Sequence, residues 1–221
     1  MIDNLLSFVA PHLCCGCGKA GDLLCDNCKY NIISESKNVC LVCEKLCGTT
    51  GLCNTCRVPY VRAWCVGQRR DVLQRLIGLY KFERAKSAYK ELGDLLIQTI
   101  SELPIDTIIV PVPTARSHVR ERGYDHTVLL ARYVARQRHL TFAQPLVRVT
   151  GTMQRHSSAS ERNKQAKVAF GVRGKILKNV PYVLIDDVVT TGATIKYAAQ
   201  TLLDADVAQV WVAVIARQTL D

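Results

Sequence analysis

Two neighbouring carboxylates, Asp186 and Asp187, stand between an apolar run and a hydroxyl-rich turn in VLIDDVVTTGAT, Val183 to Thr194. Val183, Leu184 and Ile185 suit a strand buried on both faces of a parallel sheet, at whose carboxyl edge open α/β folds place ligands. Adjacent strand residues point to opposite faces, but where the strand unravels both acids can turn to one ligand and accept hydrogen bonds from vicinal hydroxyls. After Val188 and Val189, the turn Thr190, Thr191, Gly192, Ala193, Thr194 offers three hydroxyls, a glycine permitting close backbone approach, and amide donors at a helix start. Acids for a sugar diol and amides for a phosphate make the segment suited to a phosphorylated ribose. Capping by Thr190 or Thr194 alone would explain the turn but not the acids.

A second set of chemical residues lies in the amino-terminal quarter. Four Cys-x-x-Cys pairs, Cys14/Cys17, Cys25/Cys28, Cys40/Cys43 and Cys53/Cys56, have the spacing by which a tight knuckle aims two thiolates at one ion. Two knuckles complete a tetrahedral shell, so the first four cysteines predict one structural Zn²⁺ site and the second four another. Cys15, Cys47 and Cys65 are left over; Cys15 or His12 competes for a place in the first site and Cys47 in the second. Disulfides are the competing chemistry, with redox or persulfide chemistry a lesser one. The start, MIDNLLSFVAPHLCC, has no basic stretch and an apolar run too short to span a bilayer. The expectation is a cytoplasmic chain without membrane insertion, whose thiols stay reduced.

These groups need two kinds of support. Residues 1–59 predict a small metal-ordered module, because the segment has few large apolar residues and zinc contributes folding free energy directly. Residues 60–221 suffice for one α/β domain. Within them apolar runs alternate with helical spacing: strands at Val61–Gln68, Thr107–Val112, Leu146–Val149, Val183–Asp186 and Val207–Ile215, and helices at Asp71–Phe82, Ser87–Ser101, Asp125–His139 and Thr194–Asp204. Such alternation predicts a mostly parallel sheet with helices on both faces.

The acid-and-turn run resembles the phosphoribosyl pyrophosphate (PRPP) motif of type I phosphoribosyltransferases. With the cysteine knuckles ahead of it, nearly the whole chain resembles the ComF family, the competence protein F type, together with GntX-like proteins. Further matches are VPVPTARSHVRERGYDH at Val110 to His126, QRHSSASERNKQAKVAF at Gln154 to Phe170, and Lys81-Phe82. The chain departs from the family pattern at Asp125-His126, where the family has Asn-Gln, at Ser157-Ser158, where it has Leu-Ser, and at Gln165, where it has Asn. The resemblance implies PRPP with Mg²⁺ as ligand and a pyrophosphate-gripping loop at Val112, Pro113, Thr114, Ala115 and Arg116. It also implies a role in DNA uptake, with competence helicase-type proteins as partners.

On that footing Asp186, Asp187, Arg116 and Arg162 are the candidate catalytic residues, Arg162 on the polar segment Gln154 to Gln165, which is either a flap closing over the ligand or a disordered surface loop. Arg120 and Arg122 either add to the grip or form a solvated face, and Tyr124, His126 and His156 are weaker candidates. A net charge of +10 and a pI near 9.2 suit polyanionic partners. Arg116, Arg120, Arg122, Arg132, Arg136 and Arg138 concentrate that charge, which admits single-stranded DNA by phosphate contacts alone, although Arg132, Arg136 and Arg138 equally suit the solvent face of an amphipathic helix that buries Val128, Leu129 and Val134. Two functional classes follow: a phosphoribosyltransferase, or a non-catalytic DNA-binding adaptor that keeps the pocket for ligand sensing.

Overall fold

A computed structural model describes residues 12–35, 38–82, 87–149 and 169–218. The first knuckle carries a short antiparallel pair, β1 (His12–Leu13) and β2 (Ala20–Gly21), followed by α1 (Asp26–Ser34). The α/β part runs β3 (Arg62–Gln68), α2 (Asp71–Phe82), α3 (Ala88–Thr99), β4 (Ile108–Pro111), α4 (Arg116–Arg122), α5 (His126–Gln137) and β5 (Thr141–Phe142). An antiparallel ribbon of β6 (Leu146–Val149) and β7 (Ala169–Val172) follows, then β8 (Pro181–Val189), α6 (Ala193–Asp204) and β9 (Gln209–Arg217).

The five-stranded sheet has the order β3-β9-β8-β4-β5, and every pairing in it is parallel. Its apolar strands are buried on both faces, as continuous Val/Ile/Leu runs require. One face packs Ile109, Val183, Ile185 and Ala213 against Leu76, Ile77, Leu92, Leu96, Leu130 and Val134 of α2, α3 and α5. The opposite face packs Val110, Leu184, Val212 and Val214 against Ile195, Ala198, Ala199 and Leu202 of α6. Helices α3 and α5 approach closely at Gly93, where an added Cβ would lie 2.2 Å from a Tyr133 ring carbon.

The cysteine segments do not stand apart from this core. Cys14, Leu23 and Leu24 of the first knuckle are buried in the cluster formed by α2, α3 and α5, and Lys29 on α1 reaches Glu91 at 2.7 Å and Asp94 at 3.5 Å on α3. Leu41 and Tyr60, on or just beyond the second knuckle, are buried in the α6-side cluster. The two knuckles therefore sit against opposite faces beside the edge strand β3. The second also caps that edge, where the Ala63 amide donates to the Thr50 carbonyl at 2.8 Å. Gly51, at φ +69°, allows this approach, since a Cβ there would lie 1.9 Å from the Ala63 oxygen. That bond covers the beginning of the β3 edge, where a further chain could otherwise pair.

Most elements lie within two residues of the sequence expectation. Two differences matter. Helix α4 is absent from the sequence reading because RSHVRER has no apolar stripe, and none of its residues is buried; it stops at Gly123, whose φ of 78° is left-handed. Strand β8 does not end at Asp186 but stays in register with β9 through Val189.

Candidate functional site

The continuation of β8 changes how its acids are presented. Val183 and Ile185 belong to the α2/α3/α5 side, whereas Val189 packs on the α6 side, so simple alternation is broken around the acids. There each carboxylate accepts the amide that follows it: Asp187 N–H donates to Asp186 Oδ1 at 2.9 Å and Val188 N–H to Asp187 Oδ1 at 2.6 Å. The strand does not unravel before the acids, so the expected free turning of both carboxylates toward one ligand gives way to two separate environments.

Asp187 is buried, and Lys81 Nζ lies 2.6 Å and His126 Nε2 2.8 Å from its Oδ2. Burial alone would raise its pKa, but the His126 hydrogen bond and the Lys81 charge outweigh that and hold the carboxyl well below the usual carboxylate range. Asp186 is half-buried, and burial together with the adjacent Asp187 charge pushes it up to about 8, against the Asp187 amide, Lys81 and Arg148. One acid is therefore a fixed anion inside the protein and its neighbour is a carboxyl poised to ionise. A ligand hydroxyl that donates to Asp186 would favour its charged form.

Lys81 and His126 come from α2 and α5. Tyr80 donates its hydroxyl to the His126 carbonyl at 2.6 Å, and the Tyr124 hydroxyl donates to the Tyr80 carbonyl, which ties the end of α2 to the start of α5. Asp125 caps α5 by accepting from Val128 N–H at 3.3 Å and also receives the Thr114 and Thr127 hydroxyls at 3.0 and 2.8 Å. The departure at Asp125-His126 thus places a helix cap and a partner for Asp187. No periodicity or local spacing in the sequence signals that Lys81 or His126 meets Asp187. Only the resemblance drew attention to Lys81.

Beyond β8, Thr190 and Thr191 are exposed and Gly192 begins α6 at φ 73°. Thr191 Oγ1 accepts the Ala193 amide at 3.4 Å, while among the described residues no hydrogen bond engages the amides of Thr190, Thr191 or Gly192. These amides stand at the amino end of a helix of twelve residues. Pro113, Thr114 and Ala115 lead from β4 into α4, and Arg116 is exposed at its first turn. β4 and β8 pair directly, so both loops leave neighbouring strands at the carboxyl edge. Arg162, His156 and the Gln154–Gln165 flap lie outside the described residues. Of the other arginines, Arg122 contacts His126, Arg132 stacks on Phe142 at 5.1 Å, and Arg138 donates to the Ile100 and Ser101 carbonyls at 2.7 Å.

The metal-ligating cysteines fall into the two expected groups. Cys14, Cys17, Cys25 and Cys28 have their sulfurs within 4.8 Å of one another, and so do Cys40, Cys43, Cys53 and Cys56. A tetrahedron with Zn–S of about 2.3 Å has edges of about 3.8 Å; Cys17 and Cys25 are 3.7 Å apart and Cys43 and Cys53 3.5 Å. These separations fit a shared ion and are far too long for a disulfide, about 2.05 Å. Burial pushes the Cys14 thiol up, but amides of Cys25, Cys17 and Gly16 reverse this and lower it to about 6. Gly16 is required, since a Cβ there would lie 2.5 Å from Cys28 Sγ. Cys15 stands outside the first group, pushed up to about 11 by burial and the Cys14 charge. His12 and Cys47 are likewise outside the groups, so the register that begins at Cys14 is the one the fold uses. Both sets fit structural zinc.

An open parallel sheet with an acid pair and a glycine turn at its carboxyl edge, preceded by two four-cysteine knuckles that fit a double zinc ribbon, describes an α/β protein of phosphoribosyltransferase-like fold. No family model matches the chain. Among curated relatives it is 31% identical over 217 residues to the DNA utilization protein YhgH of Salmonella typhi, covering 85% of this chain and 95% of that one. It is 24% identical over 197 residues to the competence protein ComFC of Bacillus subtilis, covering 84% and 80%. Competence protein F of Haemophilus influenzae is 27% identical over 218 residues, covering 85% and 94%. The chain belongs to this ComF family of competence and DNA-utilization proteins. Solved structures similar in part include the glutamine PRPP amidotransferase of Bacillus subtilis, at 21% identity and TM-score 0.42 over 58% of this chain and 26% of that one. Adenine phosphoribosyltransferase of Leishmania donovani matches at 20% and 0.38 over 64% and 67%. Among the described residues no helix is long and apolar enough to cross a membrane.

Proposed function

We propose that the chain binds a 5-phosphoribosyl ligand, PRPP accompanied by Mg²⁺, and serves DNA uptake in the cytoplasm, as the names of its relatives suggest. The observation that carries the ligand reading is the turn after β8. Its amides at the start of α6, which no described residue engages, suit the 5-phosphate, and half-exposed Asp186 ahead of it suits a ribose hydroxyl. Arg116 and the Pro113–Ala115 loop on the neighbouring strand suit the pyrophosphate. If transfer follows, the anomeric C–O bond breaks, pyrophosphate leaves with the electron pair, and an acceptor's lone pair forms the new bond. That step needs positioning and cationic stabilisation more than a general base.

Calorimetric titration of PRPP with Mg²⁺ into the wild type and Asp186→Asn tests the reading. Binding to the wild type and its loss in the variant, at unchanged zinc content, is the expected result; equal affinity removes Asp186 from the site. The exposed Arg116, Arg120, Arg132 and Arg136 favour a second reading, a DNA-binding adaptor. PRPP binding without pyrophosphate release to any nucleobase, amine or single-stranded DNA, combined with salt-sensitive DNA binding, would select it.

A further inference from the structure

The antiparallel ribbon brings one more cation to the acid pair. Arg148 on β6 stands opposite Phe170 on β7, and its guanidinium lies over the Phe170 ring, 5.8 Å from the centroid. Phe170 packs against the α6-side cluster that contains Ile195, and β7 lies against α6, the helix that the glycine turn opens. The ring therefore holds the guanidinium on the same side of the sheet as that turn. From there the charge of Arg148 reaches Asp186, whose ionised form it favours.

Arg148 differs from the other partly buried arginines in leaving its donors unspent. Arg69, Arg122, Arg138 and Arg148 each have a buried Nε with no hydrogen-bond partner among the described residues. The first three engage the fold through another guanidinium nitrogen, at Gln218, at His126 and at the Ile100 and Ser101 carbonyls. Arg148 makes neither a hydrogen bond nor an ion pair with a described residue. A guanidinium stacked by its face keeps its edge free for a forked contact with phosphate oxygens. Asp186 meanwhile spends Oδ1 on the Asp187 amide, at 2.9 Å, and keeps Oδ2 for a ligand hydroxyl.

We propose that Arg148, held in place by Phe170, grips the diphosphate on the anomeric carbon of the ligand. This rests on the phosphoribosyl reading and deepens it. On a phosphoribose the anomeric carbon adjoins the diol, whereas the 5-phosphate stands at the far end of the sugar. With the diol at Asp186 and the 5-phosphate at the turn amides, a cation that reaches Asp186 from the ribbon faces the anomeric substituent. A diphosphate is a substituent that a forked cation fits.

Three probes separate this role from the reading beneath it: PRPP·Mg, inorganic pyrophosphate with Mg²⁺, and ribose 5-phosphate, which has the diol and the 5-phosphate alone. Each is titrated by calorimetry into the zinc-loaded wild type and Arg148→Met, with a thermal melt and zinc content as folding controls. PRPP·Mg and pyrophosphate·Mg are expected to bind the variant about tenfold or more weakly, the scale of losing a hydrogen bond to a charged group, while ribose 5-phosphate stays within about twofold. Unchanged PRPP affinity in Arg148→Met overturns the proposal, and so does an equal loss for ribose 5-phosphate. A wild type that binds neither sugar phosphate sinks the phosphoribosyl reading, and the pyrophosphate titration still decides whether Arg148 holds a diphosphate. ¹⁵N NMR of the wild type gives an independent readout, with the Arg148 Nε–H signal assigned by its absence in Arg148→Lys. That signal should move with pyrophosphate·Mg and stay in place with ribose 5-phosphate; a signal indifferent to pyrophosphate also overturns the assignment.

Discussion

Asp187 and Asp186 are adjacent, yet replacing them should have opposite consequences. Asp187 is buried against Lys81 and His126, so Asp187→Asn leaves a buried ammonium without its counter-charge. Breaking a buried pair in this way costs about 3–5 kcal/mol, and urea denaturation should show a loss on that scale. Asp186→Asn should leave stability near neutral pH intact or improved, because it removes a carboxyl that the fold disfavours as an anion. Its pH dependence follows from the sign of the shift. The folded pKa, about 8, lies above the ordinary 3.8, so the stability this group contributes is full below about 4 and is lost as pH rises through about 8. Asp187, shifted downward, contributes stability above the ordinary carboxylate range that is lost on acidification. Denaturation midpoints measured from pH 5 to 9 should fall less steeply in Asp186→Asn than in the wild type. Parallel profiles would mean that Asp186 does not carry a raised pKa.

At the scale of elements, the first knuckle provides the sharpest test, because its geometry leaves no room beside Cys28. In Gly16→Ala the new methyl would lie 2.5 Å from Cys28 Sγ, so the knuckle or its partner must move away from the tetrahedron. Metal analysis should find about one zinc equivalent fewer than in the wild type, with the second site kept. The knuckles, the parallel sheet and the glycine turn were legible in the sequence because their signals are local: a two-residue gap, a run of β-branched residues, a glycine at a helix start. Helix α4 was not, because six polar residues around a lone Val119, with no buried face, leave no periodicity to detect. The extension of β8 was hidden for a related reason. Its ladder with β9 outlasts the point at which two acids read as a strand end. The Lys81–Asp187–His126 cluster joins residues far apart in the chain through the packing of α2, α5 and β8, and pairings set by tertiary contact leave no trace in spacing.

The cysteine knuckles are packed into the rest of the molecule more closely than a division into 1–59 and 60–221 implies. Cys14, Leu23 and Leu24 complete the core over α2 and α3, Leu41 reaches the α6-side core, and Thr50 closes the β3 edge. Arg217, at the end of β9, is fastened to the second knuckle through Glu44 at 2.5 Å and the Val42 carbonyl at 2.8 Å. Structural zinc contributes about 10–16 kcal/mol of apparent binding free energy, as much as the entire stability of an ordinary domain, about 5–15 kcal/mol. Removing it should therefore loosen both sides of the sheet and uncover a ladder edge, rather than merely unravel a tail. Chelation should lower the thermal midpoint by at least about 10 °C, since about 1 kcal/mol moves a domain of this size by about 2–4 °C. It should also produce concentration-dependent aggregation, reversed by zinc while the thiols are kept reduced, because the uncovered β3 edge can pair with another chain. Light scattering during a chelator titration follows both effects. A metal-free chain that stays monomeric and melts where the zinc-loaded one does would show that the knuckles rest on the α/β core without supporting it.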